Sequence, residues 1–156
     1  MTRVYLSIGA NLGDREASLR EAVRRLSALG TVALSSSIRE TEPWGGVQQP
    51  MFLNMAVALD TDLTPNDLLA SVKEIERNMG RVPGPRYGPR LIDIDILLYG
   101  DTRVQTDVLR IPHPHMLERD FVMVPLREIA PQAAEAARAL LEETDHADVS
   151  LRSDRP

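Results

Sequence analysis

No cysteine occurs among the 156 residues, which excludes a thiolate metal site, a cysteine nucleophile and a disulfide-stapled scaffold. Lysine is almost missing as well: Lys73 stands alone among the 18 basic residues. Acidic residues outnumber basic ones by 23 to 18, for a net charge of −5, a balance that argues against a broad surface for nucleic acid or anionic membrane. Any phosphate site must be local. No apolar run approaches the roughly 20 residues of a membrane span, and MTRVYLSIGAN lacks the apolar stretch of a signal peptide, so a cytoplasmic protein is expected. Neither G-x-x-x-x-G-K-[ST] nor G-x-G-x-x-G is present. Without a P-loop or a Rossmann turn, side chains and metal would have to hold the phosphates of a nucleotide. Aromatics are scarce, with one Trp, three Tyr and two Phe.

What is present predicts one domain over residues 1–156, long enough to bury roughly two thirds of the surface its unfolded chain exposes. Val4, Leu6 and Ile8 alternate with polar or small neighbours and predict a strand that Asn11, Gly13 and Asp14 end. Leu19, Ala22, Val23, Leu26 and Leu29 follow at helical spacing through residues 15–29, before Gly30. Residues 31–40 and 51–61 read as two more strands, and Thr64, Pro65 and Asp67 open a second helix over residues 65–79. RYGPRLIDIDILLYG then alternates as a strand. The order is β-α-β-β-α-β, which predicts an α+β, ferredoxin-like core with two helices on one face of an antiparallel sheet. Beyond it we expect a short hairpin over DTRVQTDVLRIPHPHM, a short helix in FVMVPLREIAP, a terminal amphipathic helix in AAEAARALLEE and a frayed polar tail from about residue 145.

The strand IDIDILLYG puts Asp93 and Asp95 on one face. Their Cα atoms stand roughly 6–7 Å apart, where like charges repel by about 2–3 kcal/mol at an effective dielectric near 20. A hard divalent cation such as Mg²⁺ would remove that cost, taking a few carboxylates plus waters and phosphates as ligands. Pairing of each Asp with a nearby arginine is the structural alternative. Just upstream, Arg81, Arg86 and Arg90 lie among Gly80, Gly84, Gly88, Pro83, Pro85 and Pro89. Guanidinium groups on such a loop can clamp phosphate oxygens as it closes, or merely neutralise the acidic pair. His113 and His115 bracket Pro114; imidazoles in such a turn can serve a metal, contact phosphate or cap structure, and a phosphate or nucleotide contact is expected of His113. In TEPWGGVQQPMFLN, Trp44 and Phe52, with the later Phe121, flank Asn54. Aromatics to stack and an amide to read an edge suit a flat heteroaromatic ring, although either Phe could equally be core.

Together, YLSIGANLGD, TEPWGGVQQPMFLNMAV, IERNMGR, GPRLIDIDILLYG and IPHPHMLERDFVMVPLREIAP resemble the 6-hydroxymethyl-7,8-dihydropterin pyrophosphokinases of folate biosynthesis, over nearly the whole chain to about residue 131. The resemblance implies transfer of the β,γ-pyrophosphoryl group of ATP to the hydroxymethyl oxygen of the pterin, with release of AMP. It implies that Asp93 and Asp95 hold two Mg²⁺ ions and that Arg81 and Arg90 belong to the catalytic assembly. Leu69, Lys73, Tyr87, Ile96, His113 and Arg119 match the ATP side. Thr41, Glu42, Trp44, Asn54 and Phe121 match the pterin pocket, with Phe52 at its wall, and Glu76 matches an active-centre carboxylate without an assignable role. Some positions depart from the family pattern. Tyr87 stands where some members have Trp, Pro83 where others have a basic residue, so that one phosphate contact is either missing or supplied by Arg86, and Pro114 where others have an aromatic. The last 25 residues match poorly.

Phosphoryl-type transfer asks a protein for positioning and charge stabilisation, and no side chain stands out as a general base. ATP and the pterin are the expected partners of a monomer, with no nucleic acid and no membrane. Two rivals share the pattern: a palm-type nucleotidyl transferase, which the acidic net charge disfavours, and a non-catalytic ferredoxin-like ligand-binding module.

Overall fold

Val4, Leu6, Ile8 and Ala10 are fully buried on one face of β1 (Thr2–Ala10), the strand around which the sheet is built. The computed structural model describes residues 1–43, 48–80 and 91–153, as backbone alone from residue 144 onward. Asp14 caps α1 (Arg15–Leu26) by accepting the Ala17 N–H at 3.1 Å, with Glu16 in the first turn and Arg24 and Arg25 in the last, as the helix dipole favours. The helix ends short of Leu29 because Ala28 and Leu29 turn back to the carbonyls three residues earlier, tightening the last turn. Thr64 caps α2 (Pro65–Asn78) through the Asp67 N–H at 3.2 Å.

β2 (Thr31–Ser35), β4 (Phe52–Thr61), β1 and β5 (Asp93–Tyr99) lie in the order β2-β4-β1-β5, and β3 (Arg39–Thr41) also pairs with β4. Every pairing is antiparallel. On one face, Leu19, Ala22 and Leu26 of α1 and Leu68, Val72 and Ile75 of α2 join the inward residues of β1, β4 and β5 in a common core.

The expected single strand over residues 31–40 is two strands. Between them Ser36 takes over the ladder with its side chain: its Oγ accepts the Ala56 N–H at 2.8 Å and donates to the Ser37 carbonyl at 2.9 Å. Ser37 turns its N–H and hydroxyl to Glu128, each at 2.6 Å. Those bonds hold the Glu128 carboxyl below the usual range.

A larger difference concerns the other face of the sheet. DFVMVPLREI forms a ten-residue helix, α3 (Asp120–Ile129), which packs with α4 (Pro131–Ser153) and with Leu97 and Leu98 in a second core. Both faces are therefore covered, not one. α4 is helical through Ser153, where polar composition predicts fraying. Its Ala, Leu, Glu and Arg are good helix formers, which carries the backbone on in helix past the amphipathic stretch. The expected hairpin is β6 (Val104–Gln105) with β7 (Arg110–Ile111), followed by a 3-10 turn at Met116–Glu118.

Candidate active site

Strand register gathers the chemistry. Asp93 lies opposite Gly9 and Asp95 opposite Ser7 on the β1 side of β5, while Gly9 lies opposite Asn54 on β4, which in turn faces Arg39 on β3. Ile8, Met55, Ile94 and Ile96 point into the core under α1 and α2. Alternation therefore turns Ser7, Gly9, Asn54, Asp93 and Asp95 to the α3 side. The pairing of Asp93 and Asp95 on one face is as the sequence predicts.

Burial, and after it the charge of Asp93, pushes the Asp95 carboxyl up to about 7, with Arg119 and Lys73 pulling it back. Such a pair suits a hard cation. Among the described residues no group of three or more His, Asp or Glu converges as a closed metal cage. Two carboxylates with coordination positions left for water and phosphate oxygen are what Mg²⁺ prefers.

Two segments close this end of the sheet. His113 donates its backbone N–H to the Leu97 carbonyl at 3.0 Å, laying the Pro-His-Pro-His turn along β5. Burial, then Arg119 and His115, lowers the His113 pKa to about 4, so the ring is neutral near pH 7. Its Nδ1 accepts the His115 N–H at 3.3 Å. The ring proton therefore sits on Nε2, ready to donate to an anionic oxygen. Arg119 precedes α3 and holds its guanidinium 5.8 Å from the centre of the Phe121 ring.

On α2, Glu76 is 2 % exposed, and its Oε2 accepts the Ile94 N–H at 2.9 Å. Lys73 Nζ lies 3.2 Å from Glu76 Oε1. The carboxylate thus braces the backbone between the two aspartates. This gives Glu76 the structural role that its sequence position left open.

The ring-slot residues converge in part. Asn54 donates its amide to Thr41 Oγ1, Phe52 is half-buried beside it, and Glu42 is exposed. Leu69 packs half-buried against the α2 side of the core. The Ile96 side chain, matched to the ATP side, is 5 % exposed within the core between sheet and helices. Trp44, Arg81, Arg86, Tyr87 and Arg90 lie outside the described residues.

Gly9 and Ser7 carry neither charge nor ring, so charged and aromatic motifs do not point to them. The alternation of YLSIGAN already put them on the face opposite Leu6 and Ile8, which was the available signal. A Cβ on Gly9 would sit 2.7 Å from Asn54 Oδ1 and 3.5 Å from Phe52 Cδ1, so the amide and the ring occupy the space that a side chain would fill.

The chain matches the family model described as 7,8-dihydro-6-hydroxymethylpterin-pyrophosphokinase over residues 5–131. A Methylorubrum extorquens protein named 2-amino-4-hydroxy-6-hydroxymethyldihydropteridine pyrophosphokinase is 50% identical over 134 residues, 84% of each chain. A Bacillus subtilis protein of the same name is 46% identical over 149 residues, 94% of this chain and 88% of that one. Among solved structures, an HPPK-DHPS crystallised with substrates matches with a TM-score of 0.67 at 16% identity, over 93% of this chain and 44% of that one. That last likeness is one of fold. By the family model and these two relatives, the chain belongs to the 7,8-dihydro-6-hydroxymethylpterin-pyrophosphokinase family.

Proposed function

We propose that this protein transfers the β,γ-pyrophosphoryl group of ATP to the hydroxymethyl oxygen of 6-hydroxymethyl-7,8-dihydropterin, with Mg²⁺, releasing AMP in folate biosynthesis. The observation that carries this reading is the row Asp93–Gly9–Asn54 across three neighbouring strands. Two strand spacings separate the carboxylate from the amide, about 10 Å. A bicyclic ring held at Asn54 can reach the phosphate side with a one-carbon arm. Gly9, between them, leaves the floor flat. The strand order and its two β-α-β crossovers support reading the core as ferredoxin-like, and we read the chain as one catalytic domain acting as a cytoplasmic monomer. Among the described residues no helix is long and apolar enough to cross a membrane.

Asp93 and Asp95 would hold two Mg²⁺ ions, which when bound supply positive charge to the triphosphate. Every other task falls to the chain. Thr41 fixes the Asn54 amide so that its carbonyl can read a ring N–H, and Phe121, Phe52, Trp44 and Glu42 complete the ring slot. The neutral His113 donates from Nε2 to a phosphate oxygen. Arg119 adds permanent charge, and its contact with Phe121 couples the phosphate side to the ring side. Lys73, Leu69, Arg86, Tyr87 and Ile96 take the nucleotide. Arg81 and Arg90 stabilise charge growing on the bridging and leaving oxygens.

The test is AMP release. ATP and Mg²⁺ should give AMP only when the reduced hydroxymethyl pterin is added, and a chelator should stop it. Absence of AMP with all three present refutes the reading. Gly9→Ala should raise the pterin KM at least about tenfold, because the new methyl displaces Asn54 from Thr41, with the ATP KM nearly unchanged. An unchanged pterin KM would remove Asn54 from the ring slot.

A further inference from the structure

A second row crosses the sheet beside the one that joins Asp93 to Asn54. It runs from Asp95 on β5 through Ser7 on β1 to Ala56 on β4. Ser7 is 6 % exposed, and among the described residues its hydroxyl makes no hydrogen bond. A hydroxyl withdrawn from water without a partner costs free energy that an alanine in its place would not. Ala56 offers it only a methyl, and the backbone of Ala56 is already spent on Ser36, its N–H on Ser36 Oγ at 2.8 Å and its carbonyl on the Ser36 N–H at 2.9 Å. Gly9, next on the same face of β1, brings no side chain. The polar neighbour left in the row is Asp95, whose Cβ stands about 4.5–5.5 Å from that of Ser7 across such a pair. A polar pair this close without a direct bond is the arrangement that a water bridges.

Resting on the magnesium reading above, we infer that Ser7 is a positioning residue whose Oγ accepts a hydrogen bond from a water on the ion held by Asp95, and so steers which coordination positions are left for the triphosphate. Mg²⁺ gives up its waters reluctantly and keeps several of them. A water on a cation has its lone pair on the metal and its hydrogens turned outward, so it needs an acceptor. A serine oxygen has two lone pairs to offer and no charge that would draw the ion itself away from the carboxylates. Ser7 acts through that water and touches neither substrate. Its loss should therefore appear in the affinity for the ion and not in the affinity for the pterin.

Mn²⁺ titrated into the full chain together with an ATP analogue whose α,β bridge is methylene tests this without turnover, because electron paramagnetic resonance reads the free ion. Ser7→Ala should raise the Mn²⁺ dissociation constant about tenfold, with the pterin KM within about threefold of the parent. Its Tm in chelator should equal or exceed the parent's, since an unpartnered hydroxyl is lost. Ser7→Thr keeps the oxygen, and Ser7→Val has the same branched shape without it. Ser7→Thr should therefore bind the ion at least about fivefold more tightly than Ser7→Val, a comparison that holds even where the added methyl disturbs the strand. An unchanged ion affinity in Ser7→Ala, or equal affinities in Ser7→Thr and Ser7→Val, overturns the inference. So does a lowered Tm of Ser7→Ala in chelator, which would make the hydroxyl a structural group of the metal-free fold. A parent that binds no Mn²⁺ with the analogue overturns the magnesium reading and this one with it, whereas a parent that binds the ion no better than Ser7→Ala overturns the role of Ser7 alone. A parent that binds the ion yet makes no AMP overturns the proposed transfer, and the ion affinities still decide for or against Ser7.

Discussion

Asp95→Asn should give a protein that folds at least as well as its parent and makes almost no AMP. The carboxyl of half-buried Asp95 is pushed up to about 7 by desolvation and then by the charge of Asp93. An acid whose folded pKa lies above its unfolded value of 3.8 holds its proton more tightly when folded, so the metal-free protein loses stability as pH rises from about 4 to about 7. Asparagine cannot ionise. In chelator at pH 8 the variant should be more stable than the parent by about 1–3 kcal/mol, with the difference vanishing below about pH 4. Turnover should fall about a thousandfold or more, about 4 kcal/mol of barrier, because a carboxylate that would hold Mg²⁺ is gone. Melting curves in chelator and AMP assays over a range of Mg²⁺ check the two halves separately. Near-parental turnover would end the metal role of Asp95, and a fall in stability at pH 8 would mean that the carboxylate is already compensated within the protein.

Local rules made much of this legible. Asp14 and Thr64 cap the helices that their sequence positions predict, and the alternation of IDIDILLYG does put both aspartates on one face. Alternation states which residues share a face, not what will cover it or which strand lies alongside. That is why the sequence left the second face of the sheet uncovered. The register irregularity between Tyr5 and Leu6 allows Leu97 and Leu98 both to be buried toward α3 and α4, a placement that strict two-residue alternation does not give. Ser36 broke a predicted strand for another reason: a serine hydroxyl can replace a ladder partner, and propensity does not register which partner it finds. The neighbours of Asp93 and Asp95, Gly9 and Ser7, come from residues far away in sequence. Only the register of β1 against β5 supplies them.

Glu76 offers the second large effect, and here the conservative and disruptive variants should part. The carboxylate is buried, accepts the Ile94 N–H and lies beside Lys73, so it fixes the backbone between the two aspartates on the edge strand β5. Glu76→Gln keeps an oxygen of the same reach. It gives up the charge pairing with Lys73, whose side chain is 48% exposed and can be hydrated instead, at a cost of about 1 kcal/mol or less. Glu76→Leu keeps the volume and removes the acceptor. A buried N–H left without a partner costs about 1–3 kcal/mol, which in a chain of this length lowers Tm by about 2–10 °C. The larger consequence is functional. With β5 unbraced, the two carboxylates lose their fixed separation, and the Mg²⁺ concentration for half-maximal AMP release should rise about 10–100-fold in Glu76→Leu while staying within about threefold in Glu76→Gln. If glutamine proves as damaging as leucine at full folding, Glu76 acts through its charge at the reacting groups and not through the Ile94 backbone, because the hydrogen bond survives one substitution and only the charge is lost in both.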